Sequence, residues 1–146
     1  MNKLLFFIIL TGFTSCGRGT QHKTQAQEPN LKDVGVTQFE FKEEIHNFGV
    51  LQAGEIAVYD FSLENTGEDY LIINSIDKGC GCLEVKTDKS VYPPGSKGFV
   101  EVTFDTSGLF GKQFKMIKLY VNTQEGAKEL AVVADVKNNN IIKYKQ

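Results

Sequence analysis

Beyond Asp33, apolar and polar side chains alternate residue by residue, and that rhythm constrains the fold more than any other feature of the chain. Neighbouring side chains of an extended strand point to opposite faces. Alternation therefore gives each strand one apolar row, which a second layer must cover. In residues 36–41, Phe39 and Phe41 share a face opposite Gln38 and Glu40. Ala57, Tyr59, Phe61 and Leu63 alternate with Val58, Asp60, Ser62 and Glu64. Residues 70–76 are rich in β-branched side chains, with Leu71 and Ile73 expected to face away from Ile72 and Ile76. Leu83 and Val85 share a side within 82–87, and Val100, Val102 and Phe104 alternate with Phe99, Glu101 and Thr103. Ile117, Leu119 and Val121 form a further row, as do Leu130, Val132, Ala134 and Val136. Turn residues separate these runs: Asn65-Thr66-Gly67, Pro93-Pro94-Gly95, and Ser107-Gly108 with Gly111. No segment after residue 33 carries helical spacing.

Seven or eight short strands with one wet face each predict an all-β chain, an immunoglobulin-like antiparallel β-sandwich over residues 34–138. The 146 residues suit one domain, and the chain's eleven Phe, eight of them within residues 34–138, supply bulk for a core. There is no Trp, so the Cys–Trp–Cys hallmark of antibody domains is absent. Lys and Arg total 16 against 18 Asp and Glu, without a like-charge run. That balance argues against nucleic acid as a partner, because phosphate binding needs clustered excess cation.

The first residues read as an address. Met1-Asn2-Lys3 is followed by an almost wholly apolar run from Leu4 to Leu10, then by Thr11-Gly12-Phe13-Thr14-Ser15-Cys16. A cationic start, a short apolar run and small residues make residues 1–15 a secretory signal, too short to span a bilayer as a helix. Small residues leading directly into Cys16 resemble the lipobox of bacterial lipoproteins. That resemblance implies a diacylated Cys16 at the mature N-terminus and a membrane anchor through its acyl chains. Residues 17–33 lack aromatic or periodic apolar residues and read as a flexible linker behind the lipidated cysteine. Residues 139–146 read as a C-terminal tail.

With Cys16 assigned to lipid, Cys80 and Cys82 remain as a pair in an exported, oxidising compartment. Fully extended, residues two apart stand about 6.6 Å from α-carbon to α-carbon, near the upper limit for a bridge. A disulfide therefore requires a bend, placed by this reasoning at Gly81. Three readings stand: a structural pair, bridged or free; a redox pair; and a soft-metal site, in that order of preference. A closed zinc site needs more ligands, and His46 is the one histidine of the domain. His46 itself reads as a structural hydrogen-bonding residue, since no nucleophile or carboxylate is evident beside it in sequence. No nucleophile elbow, phosphate loop or dinucleotide fingerprint is present. Phe99 and Tyr120, on outward positions, are candidates for a binding patch.

Several segments taken in order resemble the bacterial domain-of-unknown-function family 1573. They are Ile45-His46-Asn47-Phe48-Gly49 with Gly54-Glu55, Phe61-Ser62-Leu63-Glu64-Asn65-Thr66-Gly67, Cys80-Gly81-Cys82, Tyr92-Pro93-Pro94-Gly95, and Val102-Thr103-Phe104 with Gly108 and Gly111. The resemblance implies an immunoglobulin-like fold related to major-sperm-protein and cilium-associated domains, which serve as binding or scaffolding modules. It also implies export and frequent lipid anchoring, a usual cysteine pair at Cys80 and Cys82, and no established activity. The expectation is a non-enzymatic binding or structural module that needs no cofactor or metal. It is held in the cell envelope by lipid on Cys16, facing the periplasm, with an envelope protein as partner. The alternative is a thiol-redox or copper-handling protein acting through Cys80 and Cys82.

Overall fold

The structure, a computed structural model, describes residues 34–138. The expected signal (1–15), Cys16, the expected linker (17–33) and the expected tail (139–146) lie outside the described residues. Nine strands follow one another, with no helix among them: β1 (Phe39–Phe41), β2 (Ile45–Gln52), β3 (Ile56–Asn65), β4 (Leu71–Asp77), β5 (Leu83–Thr87), β6 (Val91–Tyr92), β7 (Lys97–Asp105), β8 (Gly111–Val121) and β9 (Ala127–Lys137). They form two sheets, a four-stranded sheet in the order β1-β3-β7-β5 and a five-stranded sheet in the order β2-β9-β8-β4-β6.

The alternating rows meet between the sheets. Phe61, Val100, Val102 and Phe104 from the first sheet are fully buried with Leu71, Ile117, Leu119 and Val132 from the second. Each such side chain removed from water stabilises the fold by roughly 1.5–3 kcal/mol before entropy is counted. This is the predicted immunoglobulin-like sandwich, and the seven predicted strands all form. Two further strands escape the period-two reading. β6 has only two residues. β2 has an extra residue where its register slips between Asn47 and Val50, so alternation along it breaks.

The expectation of purely antiparallel sheets needs correction at β2, which runs parallel to β9, with Ile45 opposite Ala131 and Gln52 opposite Lys137. The reason lies in the chain's path. β1 pairs with β3 in one sheet, the Lys42 N–H still donates to the Ser62 carbonyl, and two residues later the Glu44 carbonyl accepts from the Ala131 N–H in the other sheet. One nearly continuous extended run thus changes sheets across residues 42–44. Its second half meets the last strand of the domain in the direction it already had.

Ile76 is also corrected. An extra residue on β4 between Ile73 and Ser75 flips the later side chains, so Ile76 stands opposite buried Leu119 and packs on the core rather than sharing the face of Ile72.

Candidate functional site

Three features carry polar or reactive groups: the seam where the chain changes sheets, the cysteine loop, and a groove above the seam. At the seam, β2 turns His46 and Phe48 inward. The His46 ring stacks on Tyr59 of β3, with centroids 3.5 Å apart and planes 7° from parallel. Phe48 meets His46 edge-on at 4.8 Å, and Tyr59 meets Phe61 edge-on at 5.0 Å. Nδ1 of His46 lies 3.1 Å from a carboxylate oxygen of Glu43, on the crossing segment itself. The carboxylate missed in sequence is therefore local, three residues before the histidine. The hydroxyl of Tyr59 and then the ring of His46 hydrogen-bond Glu43 and hold its carboxyl below the usual carboxylate range. The same carboxylate pushes the Tyr59 phenol up. Among the described residues no Ser, Thr or Cys hydrogen-bonds this set, and its mutual contacts fix the crossing segment against β3.

The cysteine loop joins β4 to β5 at the far lateral edge of the sandwich. Cys80 and Cys82 are bridged, with α-carbons 5.3 Å apart. The bend that shortens this distance involves more than Gly81. Gly79 takes the left-handed conformation (φ 68°), and the Cys80 N–H donates to the Lys78 carbonyl at 2.7 Å, a one-residue turn centred on Gly79. Gly81 and Cys82 then form the corner closed by Leu83 N–H and the Cys80 carbonyl. Gly79 needs its glycine because its φ is positive and a β-carbon would lie 3.2 Å from the Met116 carbonyl, whereas Gly81 has open space around it. Both cysteines are half-buried against the core. Among the described residues, no group of three or more His, Cys, Asp or Glu is placed to hold a metal ion. The ring closed by this bridge is minimal, so Cys80→Ser with Cys82→Ser is expected to cost only about 1–2 kcal/mol. Urea denaturation with and without reductant measures this; loss of cooperative unfolding in the double variant would show that the bridge organises the fold.

The groove follows from the change of sheets. β2 covers β9 only from Ala131 onward, which leaves the outer edge of β9 at Ala127–Leu130 without a strand partner among the described residues. Opposite it stands the edge strand β1. Between them opens a groove of about 820 Å³ lined by Val36–Glu40, Thr66–Glu68, Thr123–Glu125, Ala127 and Lys128. Nothing in the period-two reading marks it, because it is a gap between strands rather than a property of either.

The outer faces differ. On the five-stranded sheet two cross-strand rows, Ile45–Ala131–Met116 and Asn47–Val133–Phe114, bring large apolar side chains together in solvent, with Ile45 60%, Met116 47% and Phe114 57% exposed. Phe99 pairs with Ser62 on the four-stranded sheet and Tyr120 with Ser75 on the other. These two aromatics therefore stand on different faces and make no common patch.

A family comparison decides what the chain is. The model of a protein of unknown function (DUF1573) matches residues 39–136, well over half the chain. The chain belongs to the DUF1573 family. No curated protein matches it in sequence. Among solved structures, the DUF1573 domain is similar to a protein of unknown function from Porphyromonas gingivalis W83, with 18% identity, a TM-score of 0.62, and coverage of 73% of this chain and 51% of that one. It is similar to a PapD-like domain of human CEP192, with 10% identity, a TM-score of 0.57, and coverage of 82% and 96%. It is also similar to the VesB protease of Vibrio cholerae, with 15% identity, a TM-score of 0.54, and coverage of 68% and 32%. The chain spans about half the length of the Porphyromonas protein and about a third of the protease. At these identities the likenesses show the shared sandwich fold alone.

Proposed function

We propose that this DUF1573 protein is a non-enzymatic binding module of the bacterial cell envelope, anchored by lipid on Cys16 and facing the periplasm. The observation that carries the binding half is the surface. Strand edges uncovered among the described residues and adjacent rows that expose Ile45, Met116 and Phe114 are features that interaction modules present to partners. The polar groups at the seam are engaged with one another, which supports a structural rather than a chemical role for His46. The anchoring half rests on residues 1–16, where the apolar run and small residues end in a cysteine. Two acyl chains hold a protein at a membrane where one holds it only marginally.

Both halves can be tested in cells. Cys16→Ala is expected to move the protein out of the membrane fraction or leave it unprocessed. Unchanged fractionation and unchanged mass would rule out lipidation. Photo-crosslinkers placed in turn at Gln124, Met116 and Lys86, on the groove, the apolar face and the β5 edge, are expected to capture an envelope protein from at least one position. Failure at all three would remove the binding reading.

A further inference from the structure

We infer that the groove between β1 and β9 receives an extended, cationic peptide segment of a partner protein, which adds to the free half-edge of β9 in line with β2. This rests on the binding reading above and gives that reading a site and a ligand chemistry.

The backbone supplies the first argument. The Ala131 N–H points away from β8, because it donates to Glu44 on the β2 side, while the Gly126 carbonyl accepts from Val121 on the β8 side. Direction alternates along a strand, so the N–H and C=O groups of Ala127 and Glu129 also point away from β8, into the groove. No backbone hydrogen bond engages them among the described residues. They continue the row of outward groups that β2 satisfies further along. A guest strand over Ala127–Leu130 therefore needs no rearrangement of the sheet and covers about 13 Å at roughly 3.3 Å per residue.

Charge supplies the second argument. Glu40, Glu68 and Glu125 line the groove, all three exposed, and none has an ion-pair partner among the described residues. The one cation among the described lining residues, Lys128, is occupied by the Glu44 carboxylate. A groove whose described residues wall it with three carboxylates lacking ion-pair partners and leave no free cation favours Lys or Arg on the incoming strand and rejects acidic sequences.

The test uses the purified protein in detergent micelles and two capped peptides, one of alternating Lys and Val, the other of alternating Glu and Val. Titration followed by amide NMR is expected to shift the Ala127 and Glu129 N–H signals with the Lys peptide and not with the Glu peptide. The triple variant Glu40→Lys, Glu68→Lys, Glu125→Lys changes only exposed side chains and is expected to weaken the Lys peptide by about tenfold or more. Glu129→Pro deletes an outward N–H without touching the β8 ladder and is expected to weaken it as well. Equal binding by the triple variant, or shifts confined to β5 or the apolar face, would overturn the groove assignment. Amides of Ala127 and Glu129 already protected from exchange without peptide would also overturn it, because residues preceding Val34 would then fill the groove. Capture from Met116 or Lys86 but not from Gln124, with no peptide shifts, would remove this inference and leave the envelope-module reading intact.

Discussion

Asn65→Ala is expected to lower the unfolding free energy by about 3 kcal/mol, well beyond what an ordinary turn residue contributes. In sequence Asn65 opens an Asn-Thr-Gly turn. In the fold it is fully buried at the end of β3. Its amide nitrogen donates to the carbonyls of Asp69 and Tyr92, both at 2.8 Å. Its amide oxygen accepts from the Thr37 hydroxyl and the Gly67 N–H, both at 3.2 Å. All the hydrogen-bonding capacity of one side chain is thus used, and it ties together the segment before β1, the β3–β4 turn and the end of β6. Alanine would leave a small buried void and strip one hydrogen bond from each partner. The Thr37 hydroxyl still donates to the Asp69 carbonyl and the Gly67 N–H to the Gln38 carbonyl, so the cost is the void together with the lost bonds, on the order of 1–3 kcal/mol for a group left unsatisfied unless water reaches it. Asn65→Asp is expected to be at least as damaging, since it removes both donors and sets a carboxylate in a buried position. Urea denaturation measures both variants. A loss under about 0.5 kcal/mol, the scale of an ordinary surface substitution, would mean that the three loops hold their positions without Asn65.

Gly98→Ala is expected to destabilise by about 2–3 kcal/mol, the upper part of the overpacking range. The Tyr92 ring is fully buried and lies directly over Gly98, so a β-carbon there would run into the ring edge and stand 2.7 Å from a carboxylate oxygen of Asp88. The ring cannot swing aside freely, because its hydroxyl donates to Asp88 at 2.8 Å and the Phe99 N–H donates to the same oxygen at 2.9 Å. Burial works against the ionised form of Asp88. The hydrogen bonds from Phe99 and Tyr92 outweigh it and hold the carboxyl below its usual range. Burial first, and then the Asp88 hydrogen bond, push the Tyr92 phenol well up. Tyr92→Ala, which removes the obstructing ring, is expected to be destabilising by itself and to remove most of the added cost of Gly98→Ala, leaving only the Asp88 contact. A double-mutant cycle by thermal or urea unfolding measures that coupling, and simple additivity would show that the ring and Gly98 do not meet.

Much of the sandwich is legible residue by residue. The rows Phe61–Leu63, Val100–Val102–Phe104, Ile117–Leu119–Val121 and Leu130–Val132–Ala134–Val136 all face the core as their alternation requires. Two of the places where the reading fails share a cause. Ile76 changes face because β4 gains a residue against β8, and β2 hides because its register slips near Gly49. A period-two argument assumes that every residue advances the pleat by one step, and an inserted residue breaks that assumption without a clear sequence mark. The cysteine pair was visible, yet its turn is centred on Gly79 as much as on Gly81, because the Met116 carbonyl on a neighbouring strand closes off one side of the loop. His46 was visible too, but its environment, a stacked Tyr59 and a hydrogen-bonded Glu43, depends on two sheets meeting at the seam.

By itself the amino-acid order determined seven of the nine described strands, their inward rows apart from Ile76, and the family, because alternation is a property of each short stretch of backbone and survives wherever that stretch is placed. Tertiary structure alone decided that the first extended run divides between two sheets, that its second half lies parallel to the last strand, and that the Ala127–Leu130 edge of β9 has no strand partner among the described residues and lies beside three carboxylates. Those outcomes depend on which distant segment pairs with which, and the energy of such a pairing is written in neither segment separately.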